Sequence, residues 1–218
     1  TKKQFIKLVE NISTLNEEKL RHNILVINRV VEKFYTSFVT TEEKYDVLAE
    51  MLNEGIKTET IIGIVLKPLQ KNIVAEILNQ AIIPHADDDL KNKEYQKELL
   101  RICGNYHQAL HKKNLTSLIV DTIRESDDDY IKDICNILLD KYNDFRFRQE
   151  KQQISAQIIP TFRSVNMEAK GKIIDVAKVF HMEKEFEKAI GNKQLSSEEV
   201  ELVSNKFNFR KKRIVNLS

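Results

Sequence analysis

The stretch RICGNYHQALHKKN, residues 101–114, gathers the side chains of this protein best suited to chemistry: Arg101, His107 and His111. Histidine titrates near neutrality and is a common metal ligand. His107 and His111 stand four apart, so an unbroken helix would turn both imidazoles to one face, within reach of a single ion. Gln108 occupies the place where the HExxH metal signature has its glutamate. Lys112 and Lys113 crowd His111, and no neighbouring carboxylate or third histidine completes a ligand set. No metal and no cofactor are therefore expected. The plainer reading is a structural helix carrying the apolar stripe Leu99, Cys103, Tyr106 and Leu110.

Arg101 and His107, within RICGNYH, resemble the Arg–His motif of the HEPN family, all-helical domains of which many are ribonucleases. The resemblance covers these seven residues. It implies that His107 would move a proton and Arg101 would steady a phosphate. Ile102 stands where that family usually has a polar residue. On a regular helix, at about 100° per residue, Arg101 and His107 lie about 120° apart, and Gly104 is the residue that would loosen the turn between them.

Two acidic runs, HADDDLK (85–91) and SDDDYIKD (126–133), resemble the aspartate-rich magnesium motif of helical isoprenoid synthases. That motif needs an acid at position 92, which is Asn. Loop solubility accounts for the first run, and capping of a helix by Ser126 and Asp127–Asp129 accounts for the second. The five glycines are scattered singly, so no phosphate loop exists.

Nucleic acid is a more substantial possibility. The tail KFNFRKKRI (206–214) places Lys206, Arg210, Lys211, Lys212 and Arg213 around Phe207 and Phe209 without an acid among them. FRFRQEK (145–151) repeats the aromatic–cation alternation with Arg146 and Arg148. Phosphate contacts combined with base stacking use this composition. DVAKVFHMEKEFEKAI (175–190) has the cadence of a helix-turn-helix, with His181 where glycine is usual at the turn. Its second helix carries Glu183, Glu185 and Glu187, which would repel phosphate.

The elements that must position these groups read as helices. Apolar residues recur at intervals of three and four along most of the chain. Five glycines and three prolines among 218 residues leave few turn residues for a sheet. Thr14/Glu17, Thr40/Glu43 and Ser196/Glu199 have the spacing of capping boxes. Helix 2 is expected to carry Leu20, Ile24, Ile27, Val31, Phe34 and Phe38 on its buried face. Gly55 is the expected stop of the third helix, Asn114 the expected cap of a later one, and residues 141–153 the start of a surface helix running to Ile159. The expected fold is all-α, with about ten or eleven helices in an irregular bundle or an α-solenoid-like stack.

Charge divides unevenly. Residues 141–218 hold 16 Lys/Arg and 10 Asp/Glu, whereas residues 1–140 hold 19 and 23, giving the net +2 of the whole. An acidic helical region (1–140) and a basic region with its tail (141–218) follow; the alternative is one continuous domain, 1–218. Cys103 and Cys135 fall in apolar stripes and read as reduced core thiols. No apolar run reaches the ~20 residues of a membrane span. The opening TKKQFIKLVENI reads as an amphipathic helix, not a secretory signal, so a cytoplasmic or nuclear location is expected. No residue requires catalysis to explain it. The expected function is that of a non-enzymatic scaffold or adaptor binding another protein. RNA or DNA binding through the basic region and a helical ribonuclease are the alternatives.

Overall fold

The computed structural model describes residues 1–38, 40–83, 93–124, 127–145, 149–190 and 195–207. Among them are twelve α-helices and no strand. The all-α expectation holds. The shortest of them, Thr58–Thr60, is a single turn. The chain forms two compact units, Thr1–Asn114 and Leu115–Ser218.

The first unit contains α1 (Lys2–Ser13), α2 (Glu17–Thr36), α3 (Thr41–Asn53), α4 (Thr58–Thr60), α5 (Lys71–Ile77) and α6 (Lys93–Tyr106). Two π-helical segments, Ile61–Leu66 and Leu78–Ile82, prolong α4 and α5. The core begins with an aromatic cluster in which Phe5 stacks on Phe34 at 5.2 Å and touches Tyr35 and Phe38 at 5.8 Å each. Val47, Leu48 and Met51 of α3 are buried in the same unit. Lys2 of α1 pairs with Asp46 of α3 at 3.2 Å.

Local signals decide most helix ends. Thr40 and Glu43 form their reciprocal box at α3. Gly55, at φ 77°, follows that helix in the left-handed region where a side chain would be strained. Thr14 does not cap α2. The cap is Asn16, whose side chain accepts from the Lys19 amide at 2.9 Å, while the Thr14 hydroxyl donates back to the Asn11 carbonyl at the end of α1. Asparagine is the stronger cap, and the two-residue offset satisfies both helix ends.

The second unit contains α7 (Lys112–Ile123, whose first turn lies across the boundary), α8 (Asp128–Lys141), α9 (Lys151–Thr161), α10 (Met167–Val179), α11 (Glu183–Ile190) and α12 (Ser197–Phe207). Asp127 caps α8 by accepting from the Tyr130 amide at 2.8 Å, as the acidic run suggested. Helix α8 buries Ile131, Ile134, Cys135 and Leu138, and packs on the buried Ile173, Ile174, Val176 and Ala177 of α10. The change of charge at 140–141 falls inside this unit. The helix expected from 141 to Ile159 begins only at Lys151, as α9: α8 ends at Lys141, and Tyr142 and Phe145 turn into the core with their rings 6.3 Å apart. Burial of the two rings outweighs the helical propensity of a segment lacking Gly and Pro.

Candidate functional site

Three places on the chain have residues with chemical or binding potential. At RICGNYHQALHKKN the helix does not run through. Helix α6 ends at Tyr106, His107–Ala109 form one 3-10 turn, and Leu110 is extended. The expectation that His107 and His111 share a helix face is corrected: the break at Tyr106 puts His111 in the connection to α7. Its amide donates to Asn79 Oδ1 at 2.9 Å, and Asn114 Nδ2 donates to the Asn79 carbonyl at 3.2 Å. Asn114 therefore ties two helices together within α7 rather than capping it. His107 Nδ1 lies 2.8 Å from the Gly104 carbonyl, and Arg101 is paired with Glu98 at 3.1 Å. Both side chains are half-buried in local contacts typical of a helix end. Among the described residues no group of three or more His, Cys, Asp or Glu could hold a metal ion. His85 and Asp87–Asp89 lie outside the described residues.

The basic cluster comes next. Arg146, Arg148, Phe209, Arg210, Lys211, Lys212 and Arg213 lie outside the described residues. Lys206 and Phe207 are described, and both are engaged in the second unit. Lys206 Nζ pairs with Asp175 at 2.6 Å and its stem lies over Gly171. The Phe207 ring packs 5.3 Å from Phe186, which itself meets Phe162 edge-on at 5.2 Å. Stacking on a base would require Phe207 to leave this cluster. Phe145, the first aromatic of FRFRQEK, is likewise buried.

The helix-turn-helix cadence is realised as geometry. Helix α10 ends at Val179, Phe180–Met182 make the turn, and α11 starts at Glu183. His181 adopts φ 55°, the conformation for which glycine is usual. Phe180, Met182, Phe186 and Ile190 are buried. Glu185 of α11 pairs with Lys151 of α9 at 3.1 Å. Its burial would raise the carboxyl pKa, but backbone hydrogen bonding and Lys151 outweigh that and hold it low. Glu183, Glu185 and Glu187 are all half-buried, whereas Lys184 and Lys188 of the same helix are exposed.

The third place was not singled out by periodicity. Helix α2 buries Ile27, Val31 and Tyr35, all in its second half. No residue from Glu17 to Val26 is buried. Ile24, placed on the core face by its spacing, is 43% exposed; Leu25, Val26 and Val30 are 77%, 63% and 43% exposed. The signal that could have found them is the run ILVI at 24–27: four consecutive apolar residues exceed the width of a single helical stripe. A shallow concavity beside Glu17, Glu18, Arg21 and His22 adjoins this run one turn away.

No helix among the described residues is long and apolar enough to cross a membrane. No family model, curated protein or solved structure matches this chain.

Proposed function

We propose that this chain is a non-enzymatic interaction module, a scaffold or adaptor that binds another protein. The observation that carries this reading is the exposed group Ile24, Leu25, Val26 and Val30 on α2. Scattered single apolar residues are ordinary on a protein surface, but Leu25, Val26 and Val30 stand together on the outer side of one helix, which favours a partner that covers them. Removing water from such side chains is worth ~25 cal/mol per Å², which is the main source of association energy in most protein interfaces. The local engagements of Arg101, His107, Lys206 and Phe207 favour structural roles for those residues and give the ribonuclease and nucleic-acid readings no comparable support.

The test is cross-linking in the source organism followed by affinity purification of the full chain, with and without nuclease. A defined polypeptide retained in both cases, in stoichiometric amount, is the expected result. Retention of RNA or DNA alone, with every polypeptide lost on nuclease treatment, would overturn the reading.

A further inference from the structure

Helix α2 carries two opposed stripes. Leu20, Ile24, Ile27, Val31 and Phe34 follow the spacing 4-3-4-3 on the side that reaches the core. Lys19, His22, Val26, Arg29 and Lys33 follow 3-4-3-4 on the opposite side, and all five are exposed. Val30 lies beside Val26 on this outer stripe, one turn along. The apolar pair is therefore bracketed by basic residues at both ends.

Among the described residues, nothing pairs with the lysines and arginine of this stripe. Lys19, Arg29 and Lys33 make no ion pair with a described residue, whereas Arg21, off the stripe, is paired with Glu17. Glu18 and Glu32 border the stripe on its Leu25 side, Glu18 one turn from His22 and Glu32 one turn from Arg29. Exposed cations around an aliphatic pair call for an occupant that is apolar at its centre and acidic at its margins.

We propose that the outer face of α2, from Lys19 to Lys33, docks an acidic amphipathic helix of a partner protein. This rests on the interaction-module reading and names the partner's chemistry. A helix packed along this face would set apolar residues at i and i+4 against Val26 and Val30, with Leu25 at the edge. A second copy of this chain fits poorly: an isologous contact centred on Val26 sets Lys19 against Lys33, like charge against like. An anionic bilayer fits poorly as well, because Arg29 and Lys33 share the line of Val26 instead of occupying a separate polar face, and among the described residues no aromatic side chain is exposed beside it.

The full chain is titrated, by fluorescence anisotropy, with an 18-residue helical peptide of leucine and glutamate in amphipathic order. The same peptide with lysine for glutamate is the control. The Leu/Glu peptide is expected to bind and the Leu/Lys peptide not to bind. Leu25→Ser with Val26→Ser should weaken binding at least tenfold, and Arg29→Glu with Lys33→Glu should transfer preference to the Leu/Lys peptide. All four positions are exposed, and circular dichroism verifies that each variant folds. Unchanged binding of the Leu/Glu peptide by either variant would overturn the proposal. So would capture of 3:1 phosphatidylcholine–phosphatidylserine vesicles, or self-association, that is lost in the Val26→Ser pair. If the cross-linked polypeptide persists in both variants, the interaction-module reading survives and the α2 face is excluded; if the parent chain retains no polypeptide, that reading itself fails.

Discussion

Lys170 of α10 and Glu199 of α12 meet at 2.7 Å with both side chains largely buried, and Glu199 divides its two oxygens between separate tasks. Oε1 accepts from Lys170 Nζ, while Oε2 accepts from the Ser196 amide and closes the capping box that starts α12. Lys170 also lies 5.6 Å from the centroid of the Phe162 ring. One carboxylate thus joins helix initiation to the packing of α12 on α10. At the far end of α12, Lys206 and Asp175 make the corresponding pair.

This arrangement predicts a pH dependence. Burial would raise the Glu199 pKa, but the hydrogen bonds from Lys170 and Ser196 and the Lys170 charge outweigh it and hold the carboxyl below its ordinary 4.5. A depressed folded-state pKa contributes stability that is complete above the unfolded value and is lost as pH falls through the folded one. Glu199→Gln should cost about 2 kcal/mol near neutrality. The difference from the parent should shrink as pH falls below about 4.5. Urea titrations at pH 6, 4.5 and 3 check this, and a difference that stays constant with pH would refute it.

Tyr35 should be improvable. Its ring sits in the Phe5–Phe34–Phe38 cluster, and its buried hydroxyl has no hydrogen-bond partner among the described residues. Burial pushes the phenol pKa far upward. Removing an unsatisfied buried hydroxyl returns its desolvation cost, so Tyr35→Phe should stabilise the protein by about 1 kcal/mol. A lowered Tm in the variant would mean that the hydroxyl has a partner.

The thiols should be inert in the folded protein. Cys103 and Cys135 are free and buried. Burial raises both thiols, Cys135 to about 12 and Cys103 further, which leaves almost no thiolate at neutral pH. Maleimide labelling should be slow in buffer and complete in denaturant, and reductant should leave Tm unchanged. Rapid labelling under native conditions would contradict the burial.

Any binding of single-stranded RNA by the full chain should reside in Arg210, Lys211, Lys212 and Arg213, because Lys206 and Phe207 are committed to α10 and α11. Changing those four to glutamate should abolish it, and in the parent it should fall steeply with salt. Phe207→Ala should instead cost about 1–3 kcal/mol of stability, less than a fully buried phenylalanine. Undiminished RNA binding by the four-glutamate variant would remove the tail from consideration.

Arg101→Ala should change stability by no more than about 0.5 kcal/mol, since the Glu98 pair it breaks is a local, partly solvated contact. Neither the parent nor His107→Ala should cleave RNA. Cleavage by the parent that disappears in both variants, with the fold intact, would establish the ribonuclease reading.

The sequence by itself determined that the chain is helical, because apolar spacing, scarce Gly and Pro, and the boxes at Thr40 and Ser196 are local signals that act over four to seven residues. It located the Asp127 cap, the Gly55 stop and the turn at His181 for the same reason. What only the tertiary structure decided is which apolar residues are covered. Ile24 and Ile27 obey one stripe, yet the first is exposed and the second buried, because the described residues of α2 become fully covered only in its second half. Tyr142 and Phe145 were indistinguishable by spacing from a surface helix until burial of their rings ended α8. Phe207 was equally suited to a base or a core until Phe186 came within reach. Periodicity records which face of a helix is apolar. Whether another element reaches that face depends on contacts between residues far apart in the chain, which no local pattern contains.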